Sequence, residues 1–217
     1  MEFTIYRDLA SIAFVRCTSP IPGTIFHAEG TAFSIARAVA KCRSEIIERK
    51  FLLRLTGKDQ LAGIAAHPDL TEAQNHAWSE SLETLFLERL ATSKIFRGVS
   101  LLPGKRKIWL GKVAHHYICF GIFPYSDGLA AAQSVSRNPF KALLQTWAEI
   151  RNIEIYQPNY NTLSTYTKAN RILGQAGLST LSIKLSFREN STSPTRLSKH
   201  TFNENEHSIV YFKKEIS

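Results

Sequence analysis

Apolar positions divide the chain into two kinds of segment: short β-branched or aromatic runs, and long stretches with helical spacing. Residues 2–7, 11–17 and 23–27 read as strands, with Pro20, Pro22 and Gly23 separating the last two. From His27 to Leu55 the period changes. At about 100° per residue, Phe33, Ala36, Ala40, Ser44, Ile47, Phe51 and Leu55 share one face, while Ile35, Val39, Cys42, Ile46 and Leu53 lie nearly opposite. That spacing predicts a helix buried on two sides. Between the faces runs a polar strip of Ser34, Lys41, Glu45, Glu48 and Arg49, which makes Glu45 and Glu48 neighbours one turn apart. Like charges beside a packed wall need compensation, and two sources are open. One is a bound cation or an arginine from elsewhere; the other is pairing with Lys41 and Arg49 on a solvated edge.

His67-Pro68-Asp69 then breaks the chain, and Thr71 and Glu72 open a helix to Thr92 with Trp78, Leu82, Leu85, Phe86 and Leu90 as its buried stripe. KIFRGVSLL, KIWLGKVA and HHYICFGIF read as three strands, the first reversal at Pro103-Gly104 and the last ending at Pro124. A turn at Asp127-Gly128 leads into a second long helix, started or kinked by Pro139 and packed through Phe140, Leu143, Leu144, Trp147 and Ile150. EGTA at 29–32 and DGLA at 127–130 each precede a helix, which suggests an internal duplication of pattern rather than identity. Beyond Gln157-Pro158 come a helix at 163–173, a strand at 181–187, a polar loop at 188–208 and a last strand, SIVYFKK.

The expectation is one α/β (α+β) domain over residues 1–217, with mixed sheets backed by two long helices. Its core spans 10–155 and a C-terminal extension 156–217. Size and apolar content suffice for a normal core. No run of apolar residues is long enough to span a membrane, and Cys17, Cys42 and Cys119 are odd in number and far apart, which suits reduced thiols in a cytoplasm. The net charge of +9 favours a negative partner. Nucleic acid is disfavoured, since GKRK at 104–107 reads as a hairpin tip and no basic helix with interleaved aromatics occurs.

EGTAFSIARAVAKCRSEIIERK resembles a signature of the YcaO family, a glycine-alanine turn followed by a helix ending in Glu-x-x-Glu-Arg. Gly30, Ala32, Ala36, Glu45, Glu48 and Arg49 carry that resemblance. YSDGLAAAQSVSRNPFKALLQTWAE is similar to the family's next block, so the resemblance covers residues 10–155. It implies a YcaO-like fold that binds ATP and Mg²⁺ and phosphorylates a backbone amide oxygen of a ribosomally made precursor peptide. A Cys, Ser or Thr side chain then closes an azoline ring, or sulfide gives a thioamide. By the same resemblance Glu45 and Glu48 hold magnesium on the nucleotide's phosphates, and Arg49 or Arg54 reaches the phosphates. Phosphoryl transfer rests on positioning and charge neutralisation, which suits such residues. An ungapped match from Gly128 puts Gln145 where the family has glutamate, with Glu149 four residues on as a substitute. No residue is assigned to covalent chemistry.

Measured against the family the chain lacks an earlier block with its own glutamate pair. The domain is therefore expected to be truncated on its N-terminal side, so that a partner protein or a second copy completes the site, or else to be a non-catalytic scaffold. His27-Ala28-Glu29 lacks the PCxxC of zinc deaminases. His115 and His116 alternate across a strand and do not share an ion. No GxxxxGK[ST] or GxGxxG loop occurs. Ser134 and Ser136 have two readings, phosphate contact or helix capping.

Overall fold

A computed structural model describes residues 2–7, 12–21, 24–56, 60–93, 95–102, 107–113, 115–125, 128–156, 184–186, 195–204 and 206–215. In chain order the elements are β1 (Glu2–Arg7), β2 (Ala13–Ile21), β3 (Thr24–Ala32), α1 (Ile35–Arg54), β4 (Leu61–His67), α2 (Leu70–Ser93) and β5 (Ile95–Leu102). They continue with β6 (Lys107–Val113), β7 (His116–Tyr125), β8 (Gly128–Ser136), α3 (Pro139–Tyr156), β9 (Lys184–Ser186), β10 (Leu197–Glu204) and β11 (His207–Lys214). Three sheets result, ordered β1-β2-β3, β10-β11-β4 and β8-β7-β6-β5-β9, antiparallel throughout except for the β5–β9 pair. Two compact units form, residues 1–78 with 196–217 and residues 79–195, the boundary falling inside α2.

In the first unit α1 serves two sheets in succession. Ala38, Cys42 and Ile46 pack on Ala13, Val15, Cys17 and Ala28 of β2 and β3. One turn later the buried stripe has moved, and Phe51 packs on Ile64, Ala66 and Ile209 of β4 and β11. Small residues allow the close approach: a Cβ added to Gly30 would stand 2.0 Å from the Ala38 carbonyl oxygen. The start of α2 buries Ala73 and Ala77 against Ala62, Ala65, Val210 and Phe212. In the second unit the large sheet is covered on both faces. Leu82, Phe86, Leu87 and Leu90 of α2 meet Phe96, Trp109 and Phe120, whose Trp109–Phe120 rings stack 5.8 Å apart. Ala142, Ile150 and Ile153 of α3 meet Ile108, Cys119 and Phe123. Each large apolar side chain so buried contributes roughly 1.5–3 kcal/mol.

Several expectations are corrected. The two-sided burial of α1 is a stripe that shifts along the helix, which leaves Phe33 67% exposed. α3 packs through Ala142, Thr146, Ile150 and Ile153, with Leu143 partly buried beside them, rather than through Phe140, which is 81% exposed; Gly121 of β7 lets Thr146 and Ile150 come close. Residues 128–136 form a strand, not the lead-in to a helix. The alanine run pairs with β7, and the helix waits for Asn138 to cap it and Pro139 to start it. Leu61–His67 is a strand that sequence reading missed. The polar loop at 188–208 contains β10, whose backbone finds partners along β11 although most of its side chains are polar. The helix expected at 163–173 lies outside the described residues.

Candidate functional site

A single construction recurs in the three helices of the described residues. Ser34, Asp69 and Asn138 cap them through their side chains, accepting the amides of Arg37, Glu72 and of Phe140 and Lys141. Their own carbonyls accept the amides of Ala38, Ala73 and Ala142, four residues on, and all three alanines are fully buried. Eight residues after the cap stand Cys42, Ala77 and Thr146, and eleven after it Glu45, Glu80 and Glu149.

The match between α1 and α3 extends to hydrogen bonds and strand register, at a constant step of 104 residues (Glu45 to Glu149). Val15 faces Gly30 across β2 and β3 as Cys119 faces Ser134 across β7 and β8. The Cys42 thiol donates to the Val15 carbonyl at 3.1 Å, and the Thr146 hydroxyl to the Cys119 carbonyl at 3.2 Å. Glu45 Oε2 accepts the Glu29 amide at 2.9 Å, and Glu149 Oε2 the Gln133 amide at 3.2 Å. A second glutamate three residues further on reaches another strand. Glu48 Oε1 accepts the Ala66 amide of β4 at 2.7 Å, and Glu83 Oε1 on α2 the Val135 amide of β8 at 3.0 Å. β3, β4 and β8 are edge strands of their sheets, so each carboxylate closes an edge that would otherwise expose its amides.

The structure therefore places Glu45, Glu48 and Arg49 together in the first unit. Both carboxylates are half-buried, Glu45 with 28% of its side chain exposed, and Arg49 donates to Glu45 Oε1 at 3.1 Å. Lys41 donates to the Thr31 carbonyl at 2.7 Å. Nearby, Arg16 and Glu29 form a part-buried ion pair. Burial first, and the Glu45 charge second, push the Cys42 thiol up to about 12, which keeps it a neutral donor. Arg54 stands apart: nine residues past Glu45 it points to the opposite side of α1, where Glu204 holds it at 3.0 Å. In the second unit Gln145 is exposed and takes the position of Lys41, while Glu149 takes that of Glu45. The duplication expected from EGTA and DGLA thus exists in another register, Glu29-Gly30 matching Gln133-Ser134.

Ser134 is sealed in the core, bonded to the Ala142 carbonyl and to Thr146, and Ser136 accepts the amide of Asn138, the residue that caps α3, so neither serine is itself the cap. Burial, with Arg137 and His115 adding to it, holds the His116 imidazole below its ordinary range. Sequence reading missed Glu83; the recurrent cap, alanine, small residue and glutamate at fixed intervals was the signal that reveals it. Among the described residues no three His, Cys, Asp or Glu side chains gather as a ready metal cage, and no helix is long and apolar enough to cross a membrane.

No protein-family model and no curated relative matches the chain by sequence. Solved structures do match by fold. YcaO from Methanopyrus kandleri, bound with AMPPCP and Mg²⁺, superposes with a TM-score of 0.69 at 9% identity over 99% of this chain and 85% of its own. A chain of the E. coli microcin synthetase McbBCD complex gives 0.56 at 10% identity over 97% and 86%, and so does the same complex with pro-MccB17 bound. The fold is that of YcaO proteins. This chain thus spans most of the length of each matched chain, 85% of the Methanopyrus kandleri protein and 86% of the microcin synthetase chain.

Proposed function

We propose that this chain binds ATP with Mg²⁺ and activates a backbone amide of a ribosomally made precursor peptide, by azoline-forming cyclodehydration or by thioamidation, as part of a larger assembly in the cytoplasm. The observation that carries the reading is the half-buried pair Glu45 and Glu48 on α1, in a fold shared with a YcaO that holds AMPPCP and Mg²⁺. The McbBCD likeness, with its peptide-bound form, supports a precursor peptide and protein partners.

The residues fit the ion. Mg²⁺ keeps several waters and takes only one or two carboxylates beside phosphate oxygens, so no closed protein cage is needed. A carboxylate offers about four lone-pair positions, more than Glu45 uses for the Glu29 amide and Arg49. Glu45 and Glu48 would hold the ion, which when bound offsets the charge of the phosphate oxygens. The amides of Glu29 and Ala66 fix the two carboxylates before any ligand arrives, so no side-chain ordering remains to be supplied on binding. Arg49 contributes a nearby cation. Glu149 and Gln145 are the second unit's candidates for the nucleotide; in the first unit Arg54 becomes available to phosphate only by leaving Glu204.

A non-catalytic scaffold is the second reading, favoured by one fact. Glu149 and Glu83 make the same amide bonds as Glu45 and Glu48, so these glutamates are required for architecture with no ligand at all. Thermal melting with AMPPCP, with and without Mg²⁺, separates the two readings. Nucleotide at a hundred times its Kd adds about 2.7 kcal/mol of stability, and the catalytic reading expects that shift only with Mg²⁺. No shift under either condition leaves the scaffold.

A further inference from the structure

Glutamates accept amides on the edges of β3, β4 and β8, and β10, also an edge strand, differs from them. Among the described residues no side chain takes a β10 amide, and Lys199, His200, Thr201, Phe202 and Asn203 are exposed in succession, so both faces of the strand meet solvent. Such an edge is a template for another strand. The order of charge along β10 selects which. Arg196 and Lys199 lie at its start, with Lys213 and Lys214 beside them on β11, and Glu204 and Glu206 lie at its end. An antiparallel strand of the same charge order is complementary, and β10 is itself such a strand.

We propose that a second copy of this chain pairs with the first through β10, antiparallel, about a two-fold axis at Thr201. In that register Thr201 faces Thr201, His200 faces Phe202 of the second copy, Ser198 faces Glu204, and Arg196 faces the acidic tip at Glu206. Opposite charges, aromatic pairs and facing threonines are the favourable cross-strand combinations. The aromatic pairs extend a row that already exists on one face. His200 stacks on Tyr211 at 4.9 Å, and Phe202, itself 48% exposed, lies 5.3 Å from Phe51. The arrangement joins two three-stranded sheets into one of six and uses up the β10 edge of each copy, so pairing through β10 stops at a dimer. It stands apart from the nucleotide reading, because Glu45 and Glu48 take no part.

Sedimentation equilibrium of the full chain tests it. The expected mass is twice 24.4 kDa. Thr201→Lys sets like charges together on the axis and weakens association at least about tenfold. Arg196→Glu weakens it too, and adding Glu206→Arg restores it, which damage to the fold would not do. A monomer mass at about 100 µM overturns the proposal. So does a dimer that Thr201→Lys leaves intact, or a charge-swapped double variant no tighter than Arg196→Glu alone.

Discussion

In the β2–β3–α1 module the strand meets the helix backbone at Gly30; in β7–β8–α3 the same position is Ser134, whose hydroxyl bonds the Ala142 carbonyl. One module presses helix on strand with nothing between them, while the other inserts a hydroxyl and secures it with Thr146. Both retain the glutamate that accepts a strand amide, Glu45 in one and Glu149 in the other. They part company one turn further on, where α1 carries Glu48 and Arg49 and α3 carries Asn152 and Ile153. What the modules share is architecture, and what only the first possesses is where ligand chemistry is to be sought.

Forcing the modules to resemble each other gives the largest expected effect. Gly30→Ser brings a Cβ within 2.0 Å of backbone that cannot yield, and urea unfolding is expected to show a loss of about 3 kcal/mol or more. The reverse change, Ser134→Gly, removes the two buried hydrogen bonds of the hydroxyl and is expected to lose only about 1–3 kcal/mol. Next come the shared glutamates. Glu45→Ala and Glu149→Ala each strand a part-buried amide, for about 1.5–3 kcal/mol apiece, and unequal losses would mark one bond as something more than an edge closure. The hydroxyl of the β7–β8–α3 module follows: Thr146→Ala is expected to lose about 1–2 kcal/mol, and Cys42→Ala less, since a thiol is the weaker donor.

The smallest effect concerns pH. Burial lowers the folded-state value of His116 below its ordinary 6.5, so its contribution to stability is full above that value and is lost as pH falls through the lower, folded one. His116→Gln is expected to flatten the acid side of the stability curve and to leave the neutral region almost unchanged. An equally steep acid limb in the variant would assign the slope to other groups.

The sequence made part of this legible. The length of α1, the three strands β5–β7 and the Glu45–Glu48 neighbourhood follow from periodicity and spacing, and the YcaO-like fold from the Glu-x-x-Glu-Arg segment. The second module at β4 and α2 stayed hidden because LAGIAAH is short and alanine-rich, and its strand character comes from pairing with β11. Gly128 misled the alignment of the duplication, since the repeated feature is a helix cap and a buried alanine, not a glycine turn. Arg54 was assigned by its distance along the chain, and its direction around the helix sent it to Glu204 instead. The strand amides that Glu45 and Glu48 accept lie 16 and 18 residues away, at separations that no local pattern announces.

Calorimetric titration with ATP and Mg²⁺, comparing the unaltered chain with Glu45→Gln/Glu48→Gln, tests the central claim most directly. Glutamine keeps a carbonyl acceptor for the amides of Glu29 and Ala66 while it removes the charge that would hold the ion. The expected result is saturable, Mg²⁺-dependent binding that weakens at least about 100-fold in the double variant, whose melting without nucleotide stays close to that of the unaltered chain. Equal affinity in the two proteins, or no Mg²⁺-dependent binding by the unaltered chain, contradicts it.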